Sequence, residues 1–420
     1  MVFSKQIKII KHNPFQMFKS IKLYFRLKSL AKKLKKQKKE VDFTGNLKYE
    51  INVVIIDTKV PEYNKDSGSR RLTEIIKLLI KNNVGVFLMA DFKEYRFTTD
   101  YVQYFKDLGA VVYEPGVDKN GKLIAKNDFI KQVLPFADFV WLHRPEIFAK
   151  YYPIVRKFKP AAKVFFDMVD FHYLRFKRES ELTGDIDILK KADKYLKLEL
   201  NNCKKADKII VISDVEKESI KEFYNEDDKI ISIGNIHQFI ENENPVSFEN
   251  RKDLLFIGGF DHKPNVDAVN YLAEEVMPLL WKSNPGISIS IIGSNPPEAI
   301  EKLNSEKFRV IGYAEDVAPY FYNSRIFVAP IRYGAGIKGK IGQSLEFGLP
   351  LVTTNIGAEG FDFQENRTIM VGNTSQEIVD NILSLYQNKE VWQKISSDSK
   401  KVIEPFSNYT IEQKILSLIK

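Results

Sequence analysis

From residue 49 onward the chain alternates short, nearly continuous apolar runs with longer stretches whose apolar positions recur every three or four residues. The first run is YEINVVIID, followed by VGVFLMAD, AVVYEP, DFVWLHR, KVFFDMVD, DKIIVIS and KIISIGN, with stretches such as SRRLTEIIKLLIKNN between them. Strands apolar on both faces are buried on both faces, as in a parallel sheet covered by helices. A polar interval, ENENPVSFENRK (241–252), breaks the alternation, which restarts with DLLFIGGF, ISISIIGS, FRVIGY, RIFVAPI, LPLVTTNI and RTIMVGN. The pattern predicts an α/β protein of two doubly wound, Rossmann-like domains, residues 46–245 and 246–402. FSNYTIEQKILSLIK, after Pro405, predicts a last helix within 403–420 that can cross back onto the first domain.

Residues 1–45 follow a different rule. Phe15, Phe18, Ile21, Phe25, Leu27, Leu30 and Leu34 recur at near-helical spacing among lysines, the pattern of a basic amphipathic helix. Residues 1–40 hold 13 lysines and arginines against the one acid Glu40, which leaves 51 bases and 54 acids for the other 380 residues. The net charge of +9 is therefore the property of one segment. Such a helix suits an anionic membrane surface, and equally serves as a solvated extension or partner-binding arm. Nucleic acid is not expected, because the body of the chain continues no basic patch.

At 420 residues the chain exceeds one ordinary core. Cys203 is the only cysteine, so there is no internal disulfide framework, which fits a reducing compartment. No apolar run is long enough to span a bilayer, and the N-terminus lacks the apolar core of a signal peptide. The expected location is cytoplasmic, with peripheral contact at the inner face of the membrane.

Candidate chemistry concentrates in RYGAGIKGKIGQSLEFGLPLVTTNIGAEGF (332–361), which holds seven of the 21 glycines. Gly334, Gly336 and Gly339 spell the dinucleotide fingerprint G-x-G-x-x-G, with Glu359 beyond it. That fingerprint belongs to the first strand-to-helix turn of a domain, whereas this one follows about the fourth strand of the second domain. The same residues with Lys340 spell the ATPase loop G-x-x-x-x-G-K, but Ile341 stands where a metal-binding hydroxyl is needed. What remains is a glycine loop opening a helix, with Lys338 and Lys340 adding charge, and this describes a phosphate or diphosphate site. The alternative is a tight turn with two solvated lysines. A second loop, GGFDHKPNVDAV, opens the second domain with Gly258, Gly259, His262 and Lys263, with Pro264 suited to a helix start.

These motifs in this order resemble glycosyltransferase family 4 (group 1), of GT-B architecture. GAGIKGKIGQSLEFGLPLVTTNIGAEGF is similar to a sub-group reading G-A-G-x-K-G-K-[IV]-x-E-A-x-A-x-G-x-P-V-V. GGFDHKPNVDAV, NSRIFVAPIRYGAG, WLHRPEIF, DMVDFHYLRFKRE and VISDVEKE add to it, over residues 49–400. The resemblance implies two Rossmann-like domains facing a cleft, with a nucleotide-diphosphate sugar on the second and the acceptor on the first. It implies a retaining transferase that uses no metal and no cofactor beyond its donor. Gly258, Gly259, His262, Lys263, Gly336, Lys338, Gly339, Lys340, Gln343 and Glu346 are the donor-binding residues it points to. The family usually carries two glutamates separated by seven residues; here those positions fall at Ala335 and Gln343. An amide keeps a hydrogen bond to a hydroxyl but loses the charge-assisted one. Glu346, one turn on, either supplies that carboxylate or faces solvent.

On the acceptor side, the turn DTKVPEYNKDSGSRR offers Gly68 and Arg70, with Asp66 or Ser67 as a helix cap, and Arg144 follows a strand. His143, His172 and His262 also stand just after strands. Asp170, His172 and His143 are the catalytic candidates. Asp167, Asp170 and His172 also read as a metal cluster, though their spacing is not specific. Retaining transfer needs no enzyme base, because the departing diphosphate can take the acceptor proton; an inverting enzyme would need Asp170 or His172 as one. Asp185 and Asp187 mimic a metal-binding D-x-D pair but fit helix capping better. Two other uses of the frame are a non-enzymatic sugar-nucleotide-binding protein, suggested by Gln343 and Ala335, and a sugar-nucleotide epimerase or hydrolase.

Overall fold

The computed structural model describes residues 14–37, 39–43, 49–91, 100–242, 245–361 and 368–419. Every apolar run named above contains a strand. In the first half these are β1 (Ile51–Asp57), β2 (Val84–Ala90), β3 (Val111–Val112), β4 (Gly116–Val117), β5 (Leu123–Ile124), β6 (Phe139–His143), β7 (Lys163–Asp167), β8 (Lys208–Val211) and β9 (Ile230–Ser232). In the second they are β10 (Lys252–Ile257), β11 (Ile289–Ile292), β12 (Phe308–Gly312), β13 (Ser324–Ala329), β14 (Leu351–Thr353) and β15 (Met370–Val371). The antiparallel hairpin β4–β5 has no counterpart in the pattern, because two-residue strands are too short to show a period.

A seven-stranded sheet has the order β3-β2-β1-β6-β7-β8-β9 and a six-stranded sheet the order β12-β11-β10-β13-β14-β15. In both, the first strand is a midline from which the order runs out in two directions, the doubly wound arrangement. Its crevice lies beyond the carboxyl ends of the strands at the reversal, which are β1 and β6 in one sheet and β10 and β13 in the other. The parallel registers Val54↔Val140 and Leu255↔Phe327 fix these pairs. Strands covered by helices on both faces must be apolar, and Val53 to Ile56 and Leu254 to Phe256 are fully buried.

By internal contacts the chain forms two compact units. The first comprises residues 1–60, 79–143 and 150–164 and contains β1, β2, β3, β6 and the hairpin. Within it the helix Pro14–Lys36 packs on β4, with Leu34 buried. The basic helix is thus present; Phe15, Phe18 and Ile21 lie outside the residues whose side chains are described. The second unit comprises residues 61–78, 144–149 and 165–420. It holds β8, β9, the whole six-stranded sheet and the helix Asn408–Ile419. The sheets thus change over at the polar interval, whereas the second compact unit begins at residue 165 and also takes in residues 61–78 and 144–149.

Candidate functional site

The second unit assembles its polar side chains at the end of β10 and β13. After β13, Gly334 and Gly336 take φ of 149° and 65°, the left-handed region open to glycine. A side chain at Gly336 would also run into Ile212. The loop then enters the helix Gly339–Glu346, whose first N–H groups are the unsatisfied donors of any helix start. After β10, Gly258 and Gly259 lead to the helix Lys263–Tyr271, with His262 at its N-cap and a proline in its first turn. Asn265 donates from Nδ2 to the Gly259 carbonyl at 2.6 Å.

Lys340 joins the two loops. Its ammonium donates to Asn265 Oδ1 and lies over the Phe256 ring, 4.8 Å from the centroid. A Cβ on Gly258 would stand 2.8 Å from its Nζ, so a larger residue there would displace the lysine head. Among the described residues no carboxylate pairs with Lys340, and burial, with Lys338 alongside, pushes its pKa down to about 7. Lys338 differs: it is 8% exposed and paired with Glu359 at 3.1 Å, also donating to the Gly336 carbonyl at 2.7 Å. Lys263, largely exposed, pairs with buried Glu179 at 3.0 Å.

Glu359 is also held by Arg178, bidentate at 2.6 and 2.8 Å. Arg178 further donates to the Gly334 carbonyl at 2.8 Å, so a residue of the helix His172–Thr183 fixes the glycine loop. Nearby, Glu216 is buried, accepts from Phe171 N and Ile212 N at 2.9 and 3.2 Å, and is pushed up to about 7 by burial and by Asp170. Arg178, Glu179, Glu216 and Glu359 were not foreseen as a group. Glu359 stood in the glycine-rich stretch and Arg178 in DMVDFHYLRFKRE, but their meeting depends on distant segments.

Glu346 is buried and does not face solvent. Arg70 holds both its oxygens at 2.6 and 3.0 Å, and His237 Nδ1 stands 2.9 Å away. Although burial opposes it, these partners hold Glu346 below the usual carboxylate range. Gln343, on the same helix, is half-buried. Gly342, immediately before Gln343, presses on His237, which any side chain there would strike.

The residues of the first turn separate. Asp66 caps the helix Ser67–Lys81 by accepting from Ser69 N and Oγ, each at 2.8 Å. A Cβ on Gly68 would lie 3.9 Å from Arg144 Nη2 and 3.8 Å from Val169 Cγ1, so these groups stand together. Arg144 and Val169 have φ of 72° and 62°, strained for side chains that are not glycine, and most so for the β-branched valine. Ser67 meets Gly339, where a Cβ would collide with it. Arg70 turns instead to Glu346.

Asp167, Asp170 and His172 face three different partners. Arg71 takes Asp167 at 2.9 Å, Arg175 takes Asp170 at 2.5 Å, and His172 Nδ1 lies 3.2 Å from buried Glu199. Burial works against it, but Glu199 and Asp170 raise the His172 pKa above its ordinary value. Burial is likewise overcome at Asp170, which Arg175 and His172 hold low. His172 also stacks on Tyr195 with ring centroids 5.0 Å apart. Asp185 caps the helix Ile186–Cys203, accepting from Asp187 N, as capping by acids requires. His143, the last residue of β6, is buried and stacks on Trp141.

Residues 251–388 match the family model of the glycosyl transferases group 1. Residues 251–388 are thus similar to the domain of the group 1 glycosyl transferases, and the two parallel doubly wound sheets are those of the GT-B fold. TarM superposes with a TM-score of 0.69 at 12% identity, covering 90% of this chain and all (100%) of that one. HepE of Anabaena, solved with UDP and glucose, gives 0.63 at 11% identity over 88% of this chain and 99% of its own. An uncharacterized 44.6 kDa protein in the cps region of Klebsiella pneumoniae is 23% identical over 177 residues, 40% of this chain. The chain thus spans about half, 45%, of the length of that relative.

Proposed function

We propose that the protein transfers a sugar from a nucleotide-diphosphate sugar to a glycan, polysaccharide or lipid-linked acceptor, with retention of configuration and without a metal ion. The observation that carries this is Lys340, a part-buried ammonium whose partner is an amide, at the start of a helix and between two glycine loops. A cation partly withdrawn from water with no carboxylate beside it among the described residues is unfavourable, and a diphosphate between Gly258 and Gly339 would supply that charge while accepting from the helix N–H groups. Lys338 and Arg178 stand beside it to carry charge that develops on the leaving diphosphate, the task a metal performs elsewhere. The match of residues 251–388 to a group 1 transferase domain and the UDP-bound state of HepE support this donor class. The cps-region relative favours a polysaccharide acceptor.

Retention is supported by the state of Asp170 and His172, the two candidate bases. Paired with Arg175, Asp170 is a weak base, and beside Glu199 His172 tends to hold its proton. Neither is suited to abstract a proton from a hydroxyl, whereas a departing phosphate oxygen needs no such partner. Both serve better as positioning charges near the acceptor, along with Gly68 and Arg144.

A second reading, binding without turnover, is favoured by Glu346: Arg70 and His237 occupy it, which leaves Gln343 without a carboxylate substitute. A thermal-shift and hydrolysis screen with UDP-, GDP-, dTDP- and CMP-sugars decides between them. Stabilisation by a nucleotide diphosphate with slow donor hydrolysis supports transfer; stabilisation with no hydrolysis or transfer to any acceptor supports binding alone. Stabilisation by NAD or ATP only would sink both.

A further inference from the structure

We propose that the helix Pro14–Lys36 docks the protein onto an anionic phospholipid surface. The inference stands on this helix and is independent of the sugar-transfer reading. Two stripes stand out among its described side chains, with exposed Arg26, Ser29 and Lys33 outside both. Leu27, Leu30, Ala31 and Leu34 face the body, with Leu34 buried where the helix packs on β4. Alongside them, Tyr24, Phe25, Lys28, Lys32, Lys35 and Lys36 are exposed and fall within about 120° of arc at 3.6 residues per turn. Since the first stripe is held by the body, the second is fixed facing outward.

The chemistry of that outward stripe selects its partner. Tyr24 is 60% and Phe25 62% exposed, their rings edge to face at 5.6 Å. Among the described residues no carboxylate pairs with Lys28, Lys32, Lys35 or Lys36, and the helix contains no acid. Phe25, Lys28, Lys32 and Lys35 line an open groove of about 520 Å³ with Gly121 of the β4–β5 turn. Gly121 has φ of 73°, and a Cβ there would press on the Lys35 side chain, so the turn leaves the lysine room beside the groove. Lysine heads beside an apolar pair match the interfacial layer, where phosphates meet the charges and rings sink toward the acyl boundary. A soluble polyanion would engage the lysines and leave the rings in water. The rest of the chain, with 54 acids to 51 bases, offers a nucleic acid no continuation of the site.

Flotation of the full chain with vesicles of phosphatidylcholine, with and without phosphatidylglycerol, tests this. Binding is expected only with phosphatidylglycerol and is expected to weaken with salt. The triple variant Lys28→Glu, Lys32→Glu, Lys35→Glu should lower partitioning about a hundredfold. The pair Tyr24→Ser, Phe25→Ser should lower it several-fold. Both change exposed side chains, so the thermal midpoint should stay at the wild-type value and certify folding. Equal binding to both vesicle types, or wild-type partitioning by the triple variant, overturns the proposal. Loss with the lysine variant but none with the aromatic pair assigns the face to a soluble polyanion and overturns it as well. Concentration-dependent self-association without lipid would do the same in favour of a second copy.

Discussion

A half-buried lysine held by an amide titrates in a range that solution conditions reach. Lys340, at about 7 instead of 10.5, is charged below that value and loses its proton above it. The cost of burying its charge is therefore present at low pH and is relieved as pH rises from 7 toward 10.5, so this group favours the empty protein more at alkaline pH. A bound diphosphate needs the charged form. Affinity for a nucleotide diphosphate should fall with rising pH above about 7, by at most about tenfold per unit. Titration calorimetry across that range checks it, and Lys340→Met should both weaken binding and flatten the profile. Wild-type affinity in that variant would remove Lys340 from the site. At Glu346, Arg70→Ala should cost about 2 kcal/mol, since it leaves a buried carboxylate with His237 Nδ1 and Gln238 N as its remaining hydrogen-bond partners. Denaturant midpoints measure this. Because the folded pKa of Glu346 is lowered, the difference should be full at neutral pH and shrink as pH falls through the carboxylate range.

At the scale of elements, the glycine loop after β13 is held by a helix from elsewhere in the chain. Arg178 bonds the Gly334 carbonyl and Glu359, and Glu359 in turn occupies Lys338. This carboxylate stands where charge would otherwise be offered to a phosphate. Glu359→Gln should thus tighten nucleotide-diphosphate binding several-fold and lower the melting point of the empty protein, because Arg178 and Lys338 lose their counter-charge. Weaker binding in that variant would mean that Glu359 organises the loop instead of competing for its cation. Gln343→Glu probes the neighbouring helix: a large gain in turnover marks a degraded site, and a large loss marks a site tuned around the amide.

At the scale of the whole molecule, charge is segregated: the N-terminal segment is strongly basic and the remainder slightly acidic. If the helix places the protein on lipid, transfer to an acceptor embedded in phosphatidylglycerol vesicles should fall with added salt, while hydrolysis of the soluble donor should not. Assaying both in one salt series separates them, and parallel loss of both would point to the donor site.

The alternation of apolar runs was sufficient to locate thirteen strands and the change of sheet near residue 245, because burial on both faces leaves a mark that each segment carries by itself. The glycine turn after β13 was legible for a similar reason: the left-handed backbone at Gly334 and Gly336 is a local demand. The sequence offered Lys338 and Lys340 as equivalent cations and left Glu346 open between donor contact and solvent. Only the tertiary structure separated them, giving Lys338 a carboxylate, Lys340 an amide, and Glu346 an arginine and a histidine from remote segments. Spacing along the chain determines which faces are apolar, but the charge state of a buried group depends on which distant partner the fold brings within hydrogen-bond reach.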